Sequence, residues 1–443
     1  MIEIFSIIIQ FFIFTIFCYT PNNIYFFIKK DSNPKIFERL EVGIILNLFI
    51  LLILSFILRS GSNLIYYLLI IIFLLNFIFF IKDSLIKYKS KKLKFNPIFL
   101  IFTLLFFIFS IDLANNLKIG WDAQNYWLAK KLIFSNGGDF FDLKNTPRDD
   151  YPYLGSFIWH IYSKFSLSGF EYFGRLFYIY LFLLSIFIIT SVSKFKNLER
   201  IILIFILVFS IYKVELFNGY QEILNFSLLI FLTKIFYDML QKKTQINKID
   251  NSLLYLFILI SSIIWIKSES SVLIMLFLIP IFLLKNFDFK TKIIFVSIFI
   301  LLLTKKYYVF SLIGLSHEIQ KGNYEYFQII NFFEFINFSR ATIVLKYIFF
   351  YFLNNVVYIL FCISFLIFFK LEKRNNYITY IFSMFLLSLV FFMAAFLLSS
   401  FPLEWVLWTA LNRVMFETSG LFIILIPLTY ELLKKKKFFK INF

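Results

Sequence analysis

Apolar runs of about 17 to 25 residues recur along the whole chain, and that is the length an α-helix needs to cross a hydrocarbon core. Few other folds tolerate such a pattern. A transmembrane β-barrel would show alternating segments of about ten residues, and these runs do not alternate. Of the 443 residues, 61% are hydrophobic and only 16% charged, against about a quarter charged in a soluble domain. The reading is an all-α, polytopic transmembrane helical bundle forming one integral membrane domain over 1–443.

The apolar runs place helices at about 2–20, 43–59, 63–82, 97–113, 172–192, 200–217, 221–239, 251–266, 270–285, 291–304, 341–369, 377–400 and 417–433, about 13 spans in all. The first run starts at Met1 with Glu3 and lacks a basic lead, so it reads as a retained helix and not a cleaved signal peptide. Residues 434–443 form a basic tail.

Charge placement supplies orientation. The net charge of +18 points to nucleic acid only until its distribution is read. Basic residues cluster in every second loop: Lys29, Lys30, Lys35 and Arg39; Lys82 to Lys94; Lys194, Lys196 and Arg200; Lys242, Lys243 and Lys248; Lys285, Lys290 and Lys292; Lys370, Lys373 and Arg374; and Lys434 to Lys440. These groups hold more than half of the 44 Lys and Arg. By the positive-inside rule they are cytoplasmic, which puts the C-terminus inside and the N-terminus outside. No nucleic-acid partner is expected; the partner is the bilayer.

Other residue types narrow the chemistry. The two cysteines, Cys18 and Cys362, lie far apart inside apolar runs and read as small buried hydrophobes, not a disulfide. With only His160 and His317, a His-rich metal site is excluded. The 68 Phe, abundant together with Ile, Lys and Asn, read as lipid-facing filler from an A/T-rich genome.

The longest outward loops are about 114–171, 305–340 and 401–416, and loops of that length usually carry function. The first contains two amphipathic helices. One would begin at Asp122 as N-cap and run to about Phe134. The other would be capped by Asp150 with Pro152 in its first turn. Leu154, Phe157, Ile158, Ile161, Tyr162 and Phe165 form one face of it, so it should lie in the membrane interface. Caps explain one Asp at each helix start and leave the pair Asp149-Asp150 unexplained.

Gly120-Trp121-Asp122 with Tyr126, followed by Asp149-Asp150-Tyr151-Pro152, resembles the first extracytoplasmic loop of GT-C-fold glycosyltransferases. These are polytopic enzymes that take a sugar from a polyprenyl-phosphate carrier; membrane mannosyltransferases and aminoarabinose transferases are of this kind. Asn218-Gly219-Tyr220-Gln221-Glu222 resembles the family's outward turn with a Gly and an acidic residue. Trp265-Ile266-Lys267-Ser268-Glu269 resembles its later Lys-x-Glu, and Ala410-Leu411-Asn412-Arg413 its late Arg. The likeness covers about 97–433 and leaves the helices of 1–96 as additions. Two features depart from it: the acidic loop follows the fourth apolar run instead of the first, and Gln221-Glu222 stands where Ala-Asp is commoner.

The resemblance implies a GT-C-like core with interfacial helices in loop 114–171, a bacterial inner-membrane location and an outward-facing site. Its partners would be a polyprenyl-phosphate-linked sugar donor and an extracytoplasmic acceptor, which is a lipid, glycan or protein. Asp122 would be the catalytic base, or the acidic group that orients the acceptor. Arg413 and Lys267 would meet the phosphate, with Arg suited to bidentate binding. Glu222 and Asp150 could hold sugar hydroxyls or a divalent cation such as Mg or Mn, and Asp149, Tyr126 and Glu269 complete the substrate-binding set. Metal dependence is left open.

The charge rule, which uses none of these residues, puts Asp122, Asp149, Asp150, Glu222, Lys267, Glu269, Glu404 and Arg413 at outward ends of spans. Lys267 and Glu269 sit between two apolar runs, where charge is costly unless paired or in a wet cavity. Competing readings are an O-antigen-type polymerase or ligase, a transporter or flippase of lipid-linked glycans, and a purely structural subunit. The polymerase should carry an Arg-rich late loop, but 305–340 has only Lys305, Lys306, Lys321 and Arg340. The transporter should have charges or helix breaks near mid-membrane, and 12 Gly with 8 Pro are few for it.

Overall fold

The computed structural model describes residues 2–29, 34–57, 63–89, 96–241, 251–285, 287–315, 337–372, 376–399 and 402–436. His317, Lys321, most of loop 305–340, parts of the basic loops and the tail beyond Lys436 lie outside the described residues. Within them the chain is helical and has no strand.

In order, the elements are α1 (Ile2–Phe17), α2 (Asn22–Lys29), α3 (Ile36–Ile57), α4 (Asn63–Lys89), α5 (Pro97–Asn115), α6 (Leu128–Ser135), α7 (Leu154–Lys164), α8 (Tyr172–Ile189), α9 (Asn197–Ile211) and α10 (Glu222–Gln241). Then come α11 (Asn251–Ile263), α12 (Ser270–Leu278), α13 (Phe289–Ile313), α14 (Phe338–Asn354), α15 (Val356–Leu371), α16 (Asn376–Leu397), α17 (Leu403–Val406), α18 (Asn412–Ser419) and α19 (Leu425–Lys435).

Seven of these, α3, α4, α5, α8, α10, α13 and α16, are long and apolar enough to cross a membrane. Two broken pairs, α1 with α2 and α14 with α15, bend by 53° and 84° and raise the number to nine among the described residues. The remaining expected spans are built from shorter helices. α9 has 15 residues, α11 13, α12 9 and α19 11. Apolar runs report hydropathy and not helix continuity; at 1.5 Å per residue these single helices fall short of a hydrocarbon core about 30 Å thick.

Local chemistry fixes the ends. The Asn96 side chain accepts from the N–H groups of Ile98 and Phe99, with Pro97 in the first turn of α5. Asn355 ends α14, and its side chain accepts from Val357 N–H to start α15, which places the sharp bend there. α13 starts at Asp288, whose carboxylate accepts from Thr291 N–H, and ends at Gly314 in the left-handed region at φ 75°.

α8 is buried along its whole length and is the axis of the bundle. α10, α7, α5 and α3 pack around it. The N-terminal helices are joined to this core. Phe14 of α1 meets Tyr162 and Phe177 edge-on at 5.1 and 5.5 Å, and Lys234 of α10 pairs with Glu41 of α3 at 2.9 Å and with Asp238 at 2.7 Å. Glu222 begins α10, and Lys234 and Asp238 lie toward its other end, so that helix connects two separate ionic clusters.

The loop helices differ from expectation. α7 has 11 residues and does not present one face to a surface: every residue from Leu154 to Ser163 is buried. Its outer side is covered by α3, where Tyr153 OH meets Ser55 Oγ at 2.7 Å and Asn47 donates to Tyr162 OH at 2.8 Å. A stripe of apolar residues fits a helix half in lipid, but α7 is enclosed by protein because α3 supplies polar partners for its tyrosines. Both cysteines are free, Cys18 buried and Cys362 half-buried.

Candidate functional site

The site is built where the start of loop 114–171 meets the turn before α10. Gly120 N–H donates to Asn218 C=O at 2.9 Å, which ties the two segments together. A Cβ on Gly120 would lie 2.3 Å from the Tyr220 ring, so only glycine lets that ring approach. Gly219 turns the chain between them at φ 87°, in the left-handed region. The Tyr220 ring in turn seats the Arg413 guanidinium, 4.9 Å from its centroid.

Asp122 does not cap a helix. Its backbone is helical, with φ −63° and ψ −37°, and its side chain makes no capping bond. A wide π-helical turn, Ala123–Trp127, follows it and runs into α6. The carboxylate is instead paired with Arg413 at 2.5 Å. Arg413 follows a second π-helical turn, Leu407–Leu411. Such turns are rare and occur frequently at functional sites.

From Arg413 the ionic contacts continue inward. Its Nη1 lies 3.6 Å from Glu222 Oε1. Lys267 Nζ stands 3.2 Å from Glu222, 3.3 Å from Glu269 and 3.2 Å from Glu417. Asn225 donates from Nδ2 to Glu417 and, at 2.6 Å, to Ser270 Oγ. Side-chain exposure falls from 27% at Asp122 through 5% at Glu222 to 0% at Glu417. The cluster is therefore graded like a well, with Asp122, Arg413 and Glu269 partly exposed at its rim and Glu417 at its closed floor.

Electrostatics follow from this layout. Burial works against charge on Lys267, but the carboxylates of Glu222, Glu269 and Glu417 outweigh it and hold the ammonium well above the usual lysine range. Glu222 and Asp122 likewise overcome burial at Arg413 and raise its pKa. Four carboxylates surround two cations. Among the described residues Glu222 Oε2 and Asn225 Oδ1 have no hydrogen-bond partner, although both residues are buried. They are acceptors that the packing of the cluster leaves unsatisfied.

The other expected residues stand beside the well. Tyr126 meets Trp121 and Tyr151 edge-on, each at 5.9 Å. Tyr151 stacks on Trp127 at 5.5 Å and under Arg148 at 4.1 Å. Asp150 does not cap α7, which starts with Tyr153 at its N-cap and no side-chain bond. Its carboxylate, fully buried, is held bidentately by Arg148 at 3.0 and 2.8 Å. That closed pair leaves Asp150 as part of the loop's internal frame. Asp149 is buried next to it. Leu154 N–H donates to Trp265 C=O at 3.0 Å, which holds this frame against the Lys267 turn.

Asp122, Glu222, Lys267, Glu269 and Arg413 are thus brought together, and Glu404 is exposed on α17 apart from these contacts. Glu417 and Asn225 join them without having been expected from sequence. Glu417 had a signal: it stands four residues after Arg413, one helical turn on, and enters an apolar run where a carboxylate is costly. As for a divalent cation such as Mg or Mn, Lys267 already occupies the centre of three carboxylates. Among the described residues no three His, Cys, Asp or Glu side chains converge as metal ligands. The donor set does not fit a metal.

No protein-family model, curated protein or solved structure matches the chain.

Proposed function

We propose that the protein is a membrane glycosyltransferase of GT-C type, with about 13 passes through the bilayer. It would move a sugar from a polyprenyl-phosphate carrier to a hydroxyl of an extracytoplasmic acceptor. The observation that carries this reading is the single ionic well formed by Asp122, Glu222, Lys267, Glu269 and Arg413, residues contributed by four separate parts of the chain.

In this reading the acceptor hydroxyl gives its proton to Asp122, its oxygen forms the new bond to the sugar's anomeric carbon, and the bond to the carrier phosphate breaks. Asp122 is at the open end, where an acceptor arrives from water. Arg413, paired with Asp122, would meet the phosphate oxygens that gain charge. Tyr126, Tyr151 and Trp121 give the sugar an aromatic rim. The test is transfer of labelled sugar from polyprenyl phosphate by purified protein, with Asp122→Asn as the variant; near-wild-type turnover in that variant removes the base from Asp122.

A second reading, a transporter of lipid-linked glycans, is favoured by the buried Glu41–Lys234 pair and the broken α1–α2 pair. Lipid-linked glycan moving across a liposome membrane with no covalent change would select it.

A further inference from the structure

The axis helix α8 carries one charged residue, Arg175, in its first turn. Arg175 is fully buried, and a buried charge is costly unless it is paired and hydrogen-bonded.

All five N–H groups of its guanidinium are used. Nε and Nη2 donate to the two carboxylate oxygens of Glu171, one helical turn back, at 3.0 and 3.1 Å. Nη1 donates to Lys118 C=O and to Phe217 C=O, each at 3.1 Å. Nη2 also donates to Leu117 C=O at 3.4 Å. Glu171 apart, every acceptor is a main-chain carbonyl, and none lies in an α-helix.

Those carbonyls belong to the two segments that carry the site. Leu117 and Lys118 lie in the irregular stretch between α5 and Asp122. Phe217 closes the 3₁₀ turn Val214–Phe217, which leads to Tyr220 and Glu222. Asn115 to Lys118 are exposed, so this part of the first segment is located by its main chain. Its ties are the bonds to Arg175 and, two residues on, the bond from Gly120 N–H to Asn218 C=O. The planar guanidinium spans both segments at once; a lysine ammonium, with three donors and no fork, cannot make these five bonds.

We propose that Arg175 is a positioning residue for the ionic well: it locks the segment before Asp122 against the turn before Glu222, and so sets the meeting of Asp122 with Arg413. The placement of that pair stands without any assumed chemistry, whereas the consequence for turnover rests on the glycosyltransferase reading.

The experiment treats full-length protein in phosphatidylcholine nanodiscs with phenylglyoxal and quantifies modified Arg413 and Arg148 by mass spectrometry. Both side chains are ion-paired and part-exposed, at 30% and 34%, but Arg148 pairs within its own loop frame and serves as the internal reference. In Arg175→Lys the modification of Arg413 relative to Arg148 should rise about twofold to fivefold, the worth of one partly exposed ion pair. Glu171→Ala, at a residue 28% exposed, releases one side of the fork and should raise the ratio too, which keeps the test valid if Arg175→Lys does not fold. Sugar transfer by the same preparations should fall by up to about 10²-fold, the effect of a displacement of about 1 Å. An unchanged ratio in both variants overturns the proposal. So does a parallel rise at Arg148, which would make Arg175 a general support of the fold, or a raised ratio with wild-type transfer fully kept. A raised ratio with no transfer even by the wild type supports the positioning role and removes the glycosyltransferase reading instead.

Discussion

The carboxylate of Asp122 and the guanidinium of Arg413 meet at 2.5 Å, and each residue adjoins a π-helical turn. The Asp122 side chain makes no capping bond, and Arg413 Nε also donates to Thr409 C=O at 3.0 Å in the turn before it. If the pair is part of a transfer site, Asp122→Asn should insert and fold while losing about 10²–10⁴ in turnover, the usual worth of a general base. Stability should change by no more than about 1 kcal/mol, because the pair is partly exposed and solvent-screened. Sugar-transfer rate and unfolding temperature, measured on the same preparation, check both parts.

Lys267 is different, being buried among three carboxylates. Lys267→Met should cost about 3–5 kcal/mol, because it leaves buried charges without a counter-ion. Glu417→Gln should cost less, since Glu222 and Glu269 still partner the ammonium and Gln can keep its contact with Asn225. Thermal unfolding of the two variants in detergent gives the order; equal losses would count against a central role for Lys267.

Gly120→Ala should move the Tyr220 ring, 2.3 Å from the new Cβ, and with it Arg413. Overpacking of this kind costs about 1–3 kcal/mol. Transfer should fall in step, and Gly120→Ala combined with Tyr220→Ala should regain stability without regaining activity. Additive losses in the double variant would refute the steric link.

His160 is buried in α7, with Tyr66 OH at 2.6 Å from Nε2 and Ser135 Oγ at 3.0 Å from Nδ1. Burial, and after it the charges of Lys131 and Lys164, lowers its pKa from 6.5 to about 3. The folded state therefore resists a proton that the unfolded chain accepts. Stability should fall as pH drops from about 6.5 toward 3, by at most about 1.4 kcal/mol per pH unit, and be unaffected by this group above 6.5. Unfolding midpoints between pH 4 and 8 should slope less in His160→Asn than in the wild type.

Topology is open to a direct check. A reporter fused after Lys437 should report cytoplasmic, and one inserted near Gly137 extracytoplasmic, as the alternation of basic loops requires. Both on one side would remove the expected orientation of the site.

Much of the helical membrane fold was legible because apolar run length is a one-dimensional property. The meeting of Asp122, Glu222, Lys267, Glu269 and Arg413 was legible because charges at the ends of apolar runs have few places to go. What the sequence hid was direction. Asp122 and Asp150 look like caps, since a cap needs only an Asp before a helical pattern. Their partners, Arg413 and Arg148, decide otherwise. α7 looks half-exposed because its own stripe is one-sided, and the burial of its other face depends on α3, far away in sequence. Asn225 gave no signal, being one polar residue in an ordinary helical pattern.

The two π-helical turns beside Asp122 and Arg413 have a geometric corollary. A π-turn holds one residue more than an α-turn would, so it sets the angular phase between the helical segments on its two sides. Deleting one residue from Leu407–Leu411 would return that stretch to α geometry and rotate its two sides by about 100° relative to each other. Arg413 would then point away from Asp122 with every site side chain still in the sequence. Single-residue indels in these turns, more than substitutions, are where this chain can lose or gain its ion pair in one step.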